Sequence, residues 1–182
     1  MQSYHTQSRH VACGGLFTAL GVMLMLTATL VPIATFIAPL AAGIALMPVA
    51  EELGEKVAYL CYAAILLLSV FTVTDAEAVA MFAAFFGYYP ILRRRITALP
   101  SRMVRGIIKF VLFNITVTTA YLVLIFVFSL SSVTEGMGPA YWVILLAAGN
   151  LLLICYDRML GILAVLYRRC LRVRIFGKTG HG

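Results

Sequence analysis

Long apolar stretches alternate along the chain with short polar or charged connections. A run of about 20 apolar residues matches the roughly 30 Å hydrocarbon core of a bilayer, so each stretch reads as a membrane-spanning helix. Six are predicted, at about residues 11–31, 34–50, 57–74, 78–92, 107–130 and 140–167. The second is short unless it begins before Pro39. Pro32 and Pro39 flank the apolar run starting Ile33-Ala34-Thr35-Phe36-Ile37, and prolines so close together interrupt a helix. The stretch from Thr27 to Pro39 is therefore either a short outer turn or a re-entrant loop, since non-helical backbone at membrane depth must be buried in protein or line a cavity. Asp75-Ala76-Glu77 offers an aspartate N-cap and a first-turn glutamate for the fourth helix.

The fourth stretch closes on Phe85-Phe86-Gly87-Tyr88-Tyr89-Pro90-Ile91-Leu92-Arg93-Arg94-Arg95. Aromatics followed by cations mark the cytoplasmic end of a span, with the tyrosines expected at headgroup depth. The run is read as the anchor that orients the other segments.

Composition fixes the class. Of the 182 residues, 63% are hydrophobic and only 12% charged, about half the charged share of a soluble domain; mean hydropathy is +1.00. The chain is expected to be an all-α, polytopic integral membrane protein forming one domain over residues 1–182. The net charge of +7 does not point to nucleic acid, because its cations flank apolar spans. The three outer connections, around Pro32, Asp75 and Glu135, hold no lysine or arginine. Thirteen of the 14 cations fall in the other connections, the termini or their membrane edges, and the fourteenth is Arg158. Six spans with both termini cytoplasmic satisfy the positive-inside rule, which places the chain in the cell membrane. Met1 to His10 is polar, and the first apolar run reads as a retained span rather than a signal peptide.

Several chemistries drop out. Cys13, Cys61, Cys155 and Cys170 show no C-x-x-C spacing and do not suggest a disulfide or metal framework. The only histidines are His5, His10 and His181, near the termini. Glu51-Glu52 followed by Lys56 is similar to the E-E-x-x-x-R element of intramembrane CAAX-type proteases, but lysine replaces arginine and embedded histidines are missing. Neither a G-x-S-x-G serine site nor a phosphate-binding G-x-x-x-x-G-K-[ST] loop occurs. No catalytic residue, metal or cofactor is assigned. Glu51, Glu52 and Glu55 instead suit pairing with Arg93 to Arg95 on the inner face.

Polar residues within spans are the best functional pointers. Asn114, Thr118 and Tyr121 share one helical face, and Asn150 and Asp157, seven apart, nearly share another. These faces either line a polar pocket or hydrogen-bond to each other. Asp157-Arg158 also suits the inner interface, with Arg158 snorkelling.

The short basic N-terminus leads into Gly14-Gly15-Leu16-Phe17-Thr18-Ala19-Leu20. Ala38-Pro39-Leu40-Ala41-Ala42-Gly43 and a glycine turn at Gly54 follow. In these features and in its six-span length the chain resembles the substrate-binding S components of energy-coupling factor (ECF) transporters. The resemblance implies capture of a vitamin or similar micronutrient and docking to a transmembrane T component with two ATPase subunits. It further implies Gly14, Gly15, Thr18 and Ala19 as the partner-facing stripe; from the residues alone, these small-x-x-x-small pairs equally suit packing within the bundle. The resemblance carries over no substrate ligands. From the sequence itself, Tyr121, Trp142 and Asn150, with Glu135 at the rim, are the expected small-molecule site, an aromatic wall with a few polar groups. The competing reading is a non-catalytic scaffold similar to the cell-shape subunit MreD, with packed polar faces and basic loops binding a cytoplasmic partner or anionic lipid.

Overall fold

A computed structural model of the chain describes residues 2–31, 33–128 and 139–167. These form seven α-helices and no strand: α1 (Gln2–Leu30), α2 (Ala34–Glu52), α3 (Glu55–Thr72), α4 (Ala76–Met81), α5 (Tyr89–Thr97), α6 (Arg102–Phe128) and α7 (Pro139–Leu166), with a π-helical turn at Phe82–Phe86 between α4 and α5. Five helices are long and apolar enough to cross a membrane: Val11–Leu30, Ala34–Glu52, Glu55–Thr72, Arg102–Ile125 and Leu146–Leu166. This is the pattern of a multi-pass membrane protein. Large apolar side chains such as Leu16, Met23, Phe71, Ile115 and Ile162 face outward, as side chains bathed in lipid do.

Two expectations need correction. First, Pro39 does not interrupt a helix. α2 runs unbroken from Ala34 to Glu52 with Pro39 and Pro48 inside it. The turn before it is short: Val31 N donates to Thr27 O at 3.0 Å and Ala34 N to Val31 O at 2.8 Å, so residues 27–39 are not a re-entrant loop. Proline removes one backbone donor, a loss membrane helices tolerate when neighbours serve the freed groups. Ala38, Ala42, Leu46 and Val49 of α2 are buried, and they pack with Met25 of α1 and Ile65 of α3 in one core cluster. Half of α2 is buried, against 22–28% of the other four long helices, so α2 is the centre of its layer. The α2–α3 reversal takes only Leu53 and Gly54, and Gly54 sits at φ +89°, a conformation that favours glycine.

Second, the aromatics of the Phe85 to Arg95 run face the interior of the bundle rather than its surface, while Arg94 and Arg95 at its end are exposed. Phe82, Phe85 and Tyr89 are each 0% exposed and Phe86 is 1% exposed. Phe85 stacks on Tyr89 at a centroid distance of 4.4 Å and meets Phe113 of α6 edge-on at 4.9 Å. Phe86 meets Tyr156 of α7 edge-on at 5.3 Å. Tyr88 is half-buried with its ring edge-on to Tyr62. The three arginines lie within α5 rather than beyond a helix end.

The break in this central helix has a local cause and two local remedies. Pro90 has no N–H to give the Phe86 carbonyl four residues earlier. The Gly87 N–H reaches back five residues to Phe82 O, at 2.9 Å, instead of four to Ala83 O. Two tyrosines serve the displaced acceptors: Tyr62 Oη donates to Ala83 O at 2.8 Å, and Tyr156 Oη donates to Phe86 O at 3.3 Å. Gly43 lets α2 approach this point. A Cβ there would lie 2.1 Å from Phe86 O and 2.6 Å from Tyr156 Oη.

Candidate functional site

Polar side chains inside the helices gather at two levels, one near Asp75 and one near Asp157. At the first, Asp75 caps α4 as expected: its Oδ1 accepts from the backbone N–H of Glu77 at 3.0 Å and Ala78 at 3.1 Å. Its Oδ2 accepts from Thr35 Oγ1 of α2 at 2.7 Å. Glu77 Oε1 accepts from Tyr121 Oη of α6 at 2.8 Å. The capping explanation therefore holds, and each carboxylate also ties α4 to a neighbouring helix.

Tyr121 is buried and forms part of the wall of three adjoining cavities. One, of about 330 Å³, is lined by Phe36, Met81, Phe86, Phe113 and Gly149 among others. A second, of about 260 Å³, lies between α6 and α7 against Thr118, Leu122 and Leu146. The third, of about 280 Å³, is lined by Thr74, Asp75, Glu77 and Leu124. The first two are almost wholly apolar, and the third carries the carboxylates. Apolar pockets beside a few oriented acceptors are the usual form of a small-molecule site.

Of the residues expected at the site, only Tyr121 is placed here. Asn150 faces Asn114 instead: the two amides exchange hydrogen bonds of 3.0 and 3.1 Å. Each amide also donates to the carbonyl four residues before it, Asn114 to Phe110 and Asn150 to Leu146. Both side chains are thus committed to joining α6 and α7, an effect of about 0.6–2 kcal/mol in a membrane. Trp142 lies on α7 with its side chain outside the described residues, and Glu135 lies outside them altogether. Glu77, which sequence reading explained as a first-turn charge, is the residue it missed.

At the second level, Asp157 of α7 is the hub. Its Oδ1 accepts from Tyr89 Oη at 2.7 Å and from Arg93 Nε at 2.8 Å, and its Oδ2 accepts from Lys109 Nζ at 2.7 Å. Three helices thereby meet on one carboxylate. Tyr89 and Arg93 are four residues apart on α5 and share a face, which is the signal in the sequence that this convergence leaves. Of the expected acidic–basic pairs, Arg95 binds Glu55, while Arg94 Nη1 donates to the Ala50 carbonyl at 3.2 Å.

The small-residue stripe on α1 divides. Gly14 packs inward on α3, where Cys61 Sγ donates to its carbonyl at 3.6 Å. Thr18 is partly buried, and Gly15 and Ala19 are exposed. Gly14 therefore serves the bundle and is not on a partner-facing surface. Among the described residues no group of three or more His, Cys, Asp or Glu side chains is arranged to hold a metal ion. The chain matches no protein-family model, and neither the curated proteins nor the solved structures searched contain a match to it.

Proposed function

We propose that the chain is a six-span protein of the cell membrane, with both termini cytoplasmic, that binds a small molecule between α4, α6 and α7. In this reading it is the substrate-binding subunit of a micronutrient uptake system, similar to the S component of an ECF transporter. The observation that carries the reading is the group of cavities sharing Tyr121, one of them lined by Asp75 and Glu77. The sixth span is the broken helix. Ala76 to Thr97 is 22 residues, about 33 Å at helical rise, and the backbone at Phe82, Gly87 and Tyr88 stays in the right-handed helical region. With that span counted, the connections around Asp75 and Glu135 lie outside and those bearing Arg93 to Arg105 lie inside.

No catalysis and no cofactor enter this proposal. Its partners are membrane lipid, the small-molecule substrate, and a T component with its ATPases. The exposed Gly15 and Ala19 are what remains of the docking stripe. Labelling of Cys170 in intact cells tests the orientation: modification is expected only after the membrane is permeabilised, and labelling from outside would overturn it.

Native mass spectrometry of the gently purified protein tests the binding role. A co-purifying small molecule is expected, and it should be lost or weakened at least tenfold in Tyr121→Ala and Glu77→Gln. Filling the site in Gly149→Leu should act likewise. An empty protein that captures membrane partners other than ATPases would instead support the scaffold reading. That alternative has its own observation, because Asn114 and Asn150 are packed on each other and neither lines the Tyr121 cavities.

A further inference from the structure

A groove of about 470 Å³ runs between α6 and α7 at the Asp157 level, away from the Tyr121 cavities. Its polar lining includes Arg102, Arg105, Lys109 and Arg158, four cations, against the single carboxylate Asp157. That carboxylate is already shared by Lys109 and Arg93. Among the described residues no carboxylate pairs with Arg102, Arg105 or Arg158; Arg105 donates only to the Thr97 carbonyl, at 3.1 Å. The groove therefore keeps a positive excess that the described residues do not neutralise. Its other wall is apolar and opens outward: Phe110 is 55% exposed and Ile154 is 56% exposed. Cations beside exposed hydrocarbon form a surface of two chemistries in contact.

We propose that this groove binds one anionic glycerophospholipid of the cytoplasmic leaflet. The phosphate sits among Arg102, Arg105 and Arg158, and an acyl chain lies along Phe110 and Ile154. Guanidinium groups suit phosphate because their fork of donors matches its oxygens. Each cation close to an anionic headgroup contributes about 1 kcal/mol, which corresponds to about fivefold in affinity. A free phosphate or soluble anion satisfies the arginines but leaves the apolar wall unused, so the lipid is the occupant that matches both halves. This inference rests on the proposed orientation, which sets the leaflet, and not on the small-molecule site.

The test uses the full chain in detergent, read by native mass spectrometry against added phosphatidylglycerol, phosphatidylcholine of the same acyl chains, and inorganic phosphate. One phosphatidylglycerol is expected to remain bound under activation that strips phosphatidylcholine. The triple variant Arg102→Gln/Arg105→Gln/Arg158→Gln should lose on the order of 100-fold in affinity. The corresponding triple arginine-to-lysine variant preserves topology-determining charge and should retain most of the preference, and the wild-type preference should be larger at low salt than at high salt. Equal retention of the two lipids by wild type would overturn the proposal. So would an unchanged preference in the glutamine variant, or displacement of phosphatidylglycerol by inorganic phosphate at equimolar concentration, which would identify free phosphate as the occupant. Because the Tyr121 variants leave this groove intact, loss of lipid preference is separable from loss of a small-molecule ligand.

Discussion

Replacing Asp157 by alanine is expected to destabilise the protein by about 3 kcal/mol, the lower end of the usual cost of removing one partner from a buried ion pair, because this cluster is only part-buried. The magnitude follows from what is left behind. Arg93 and Lys109 have side chains only 19% and 16% exposed, and both rely on this carboxylate. Without it two cations face each other in a low-dielectric setting, and the Tyr89 hydroxyl loses its acceptor as well. Asp157→Asn should keep an acceptor for Tyr89 and Arg93 at one atom but lose the negative charge and the Lys109 bond at the other. Lys109→Met should cost less than Asp157→Ala, because Arg93 and Tyr89 still hold the carboxylate. Equilibrium unfolding in mixed micelles measures the series, and the combination of Asp157→Ala with Lys109→Met should cost less than the sum of the two. A loss below 1 kcal/mol for Asp157→Ala would mean that the cluster does not hold the three helices together.

The second large effect is expected at Gly43. Adding one methyl group there places a carbon 2.1 Å from a backbone oxygen and 2.6 Å from a tyrosine hydroxyl, so α2 must retreat from the π turn. Overpacking of this kind typically costs 1–3 kcal/mol, occasionally more. Here it also threatens the Tyr156 bond to Phe86 O, so Gly43→Ala should lose about 2–4 kcal/mol. Gly15→Ala is the control. No atom lies within 4 Å of its added carbon, and alanine in place of a helical glycine is expected to be neutral or to stabilise by up to about 1 kcal/mol. If the two variants unfold alike, the close approach of α2 to the broken helix has been misjudged.

The course of the chain was legible because hydropathy and span length follow directly from the bilayer. The Asp75 cap was legible because a cap is local chemistry within three residues. Pro39 misled because a proline's effect on a helix depends on its packing, and this one is fully buried inside α2. The Phe85 to Arg95 run misled for a different reason. Aromatics before arginines look the same whether their rings face lipid or the bundle. The spacing of Phe82, Phe85, Phe86 and Tyr89, however, is i, i+3, i+4, i+7, the stripe of a buried helix face. The pairing of Asn114 with Asn150 was within reach of helical periodicity. Tyr121 with Glu77 was not, since 44 residues separate them and only the packing of α4 on α6 joins them. Cavities have no sequence signature, and the lining of this one comes from several different helices.

The turn at Phe82–Phe86 holds one residue more than an α-helix needs, and that residue acts as a phase shift. Removing it would leave a helix of nearly the same length, but everything beyond it would be rotated by about 100° relative to α4. Glu77 could then still meet Tyr121 while Tyr89 and Arg93 pointed away from Asp157, or the reverse. The offset is what allows a single helix to present its carboxylate to α6 at one level and its cation to α7 at the other.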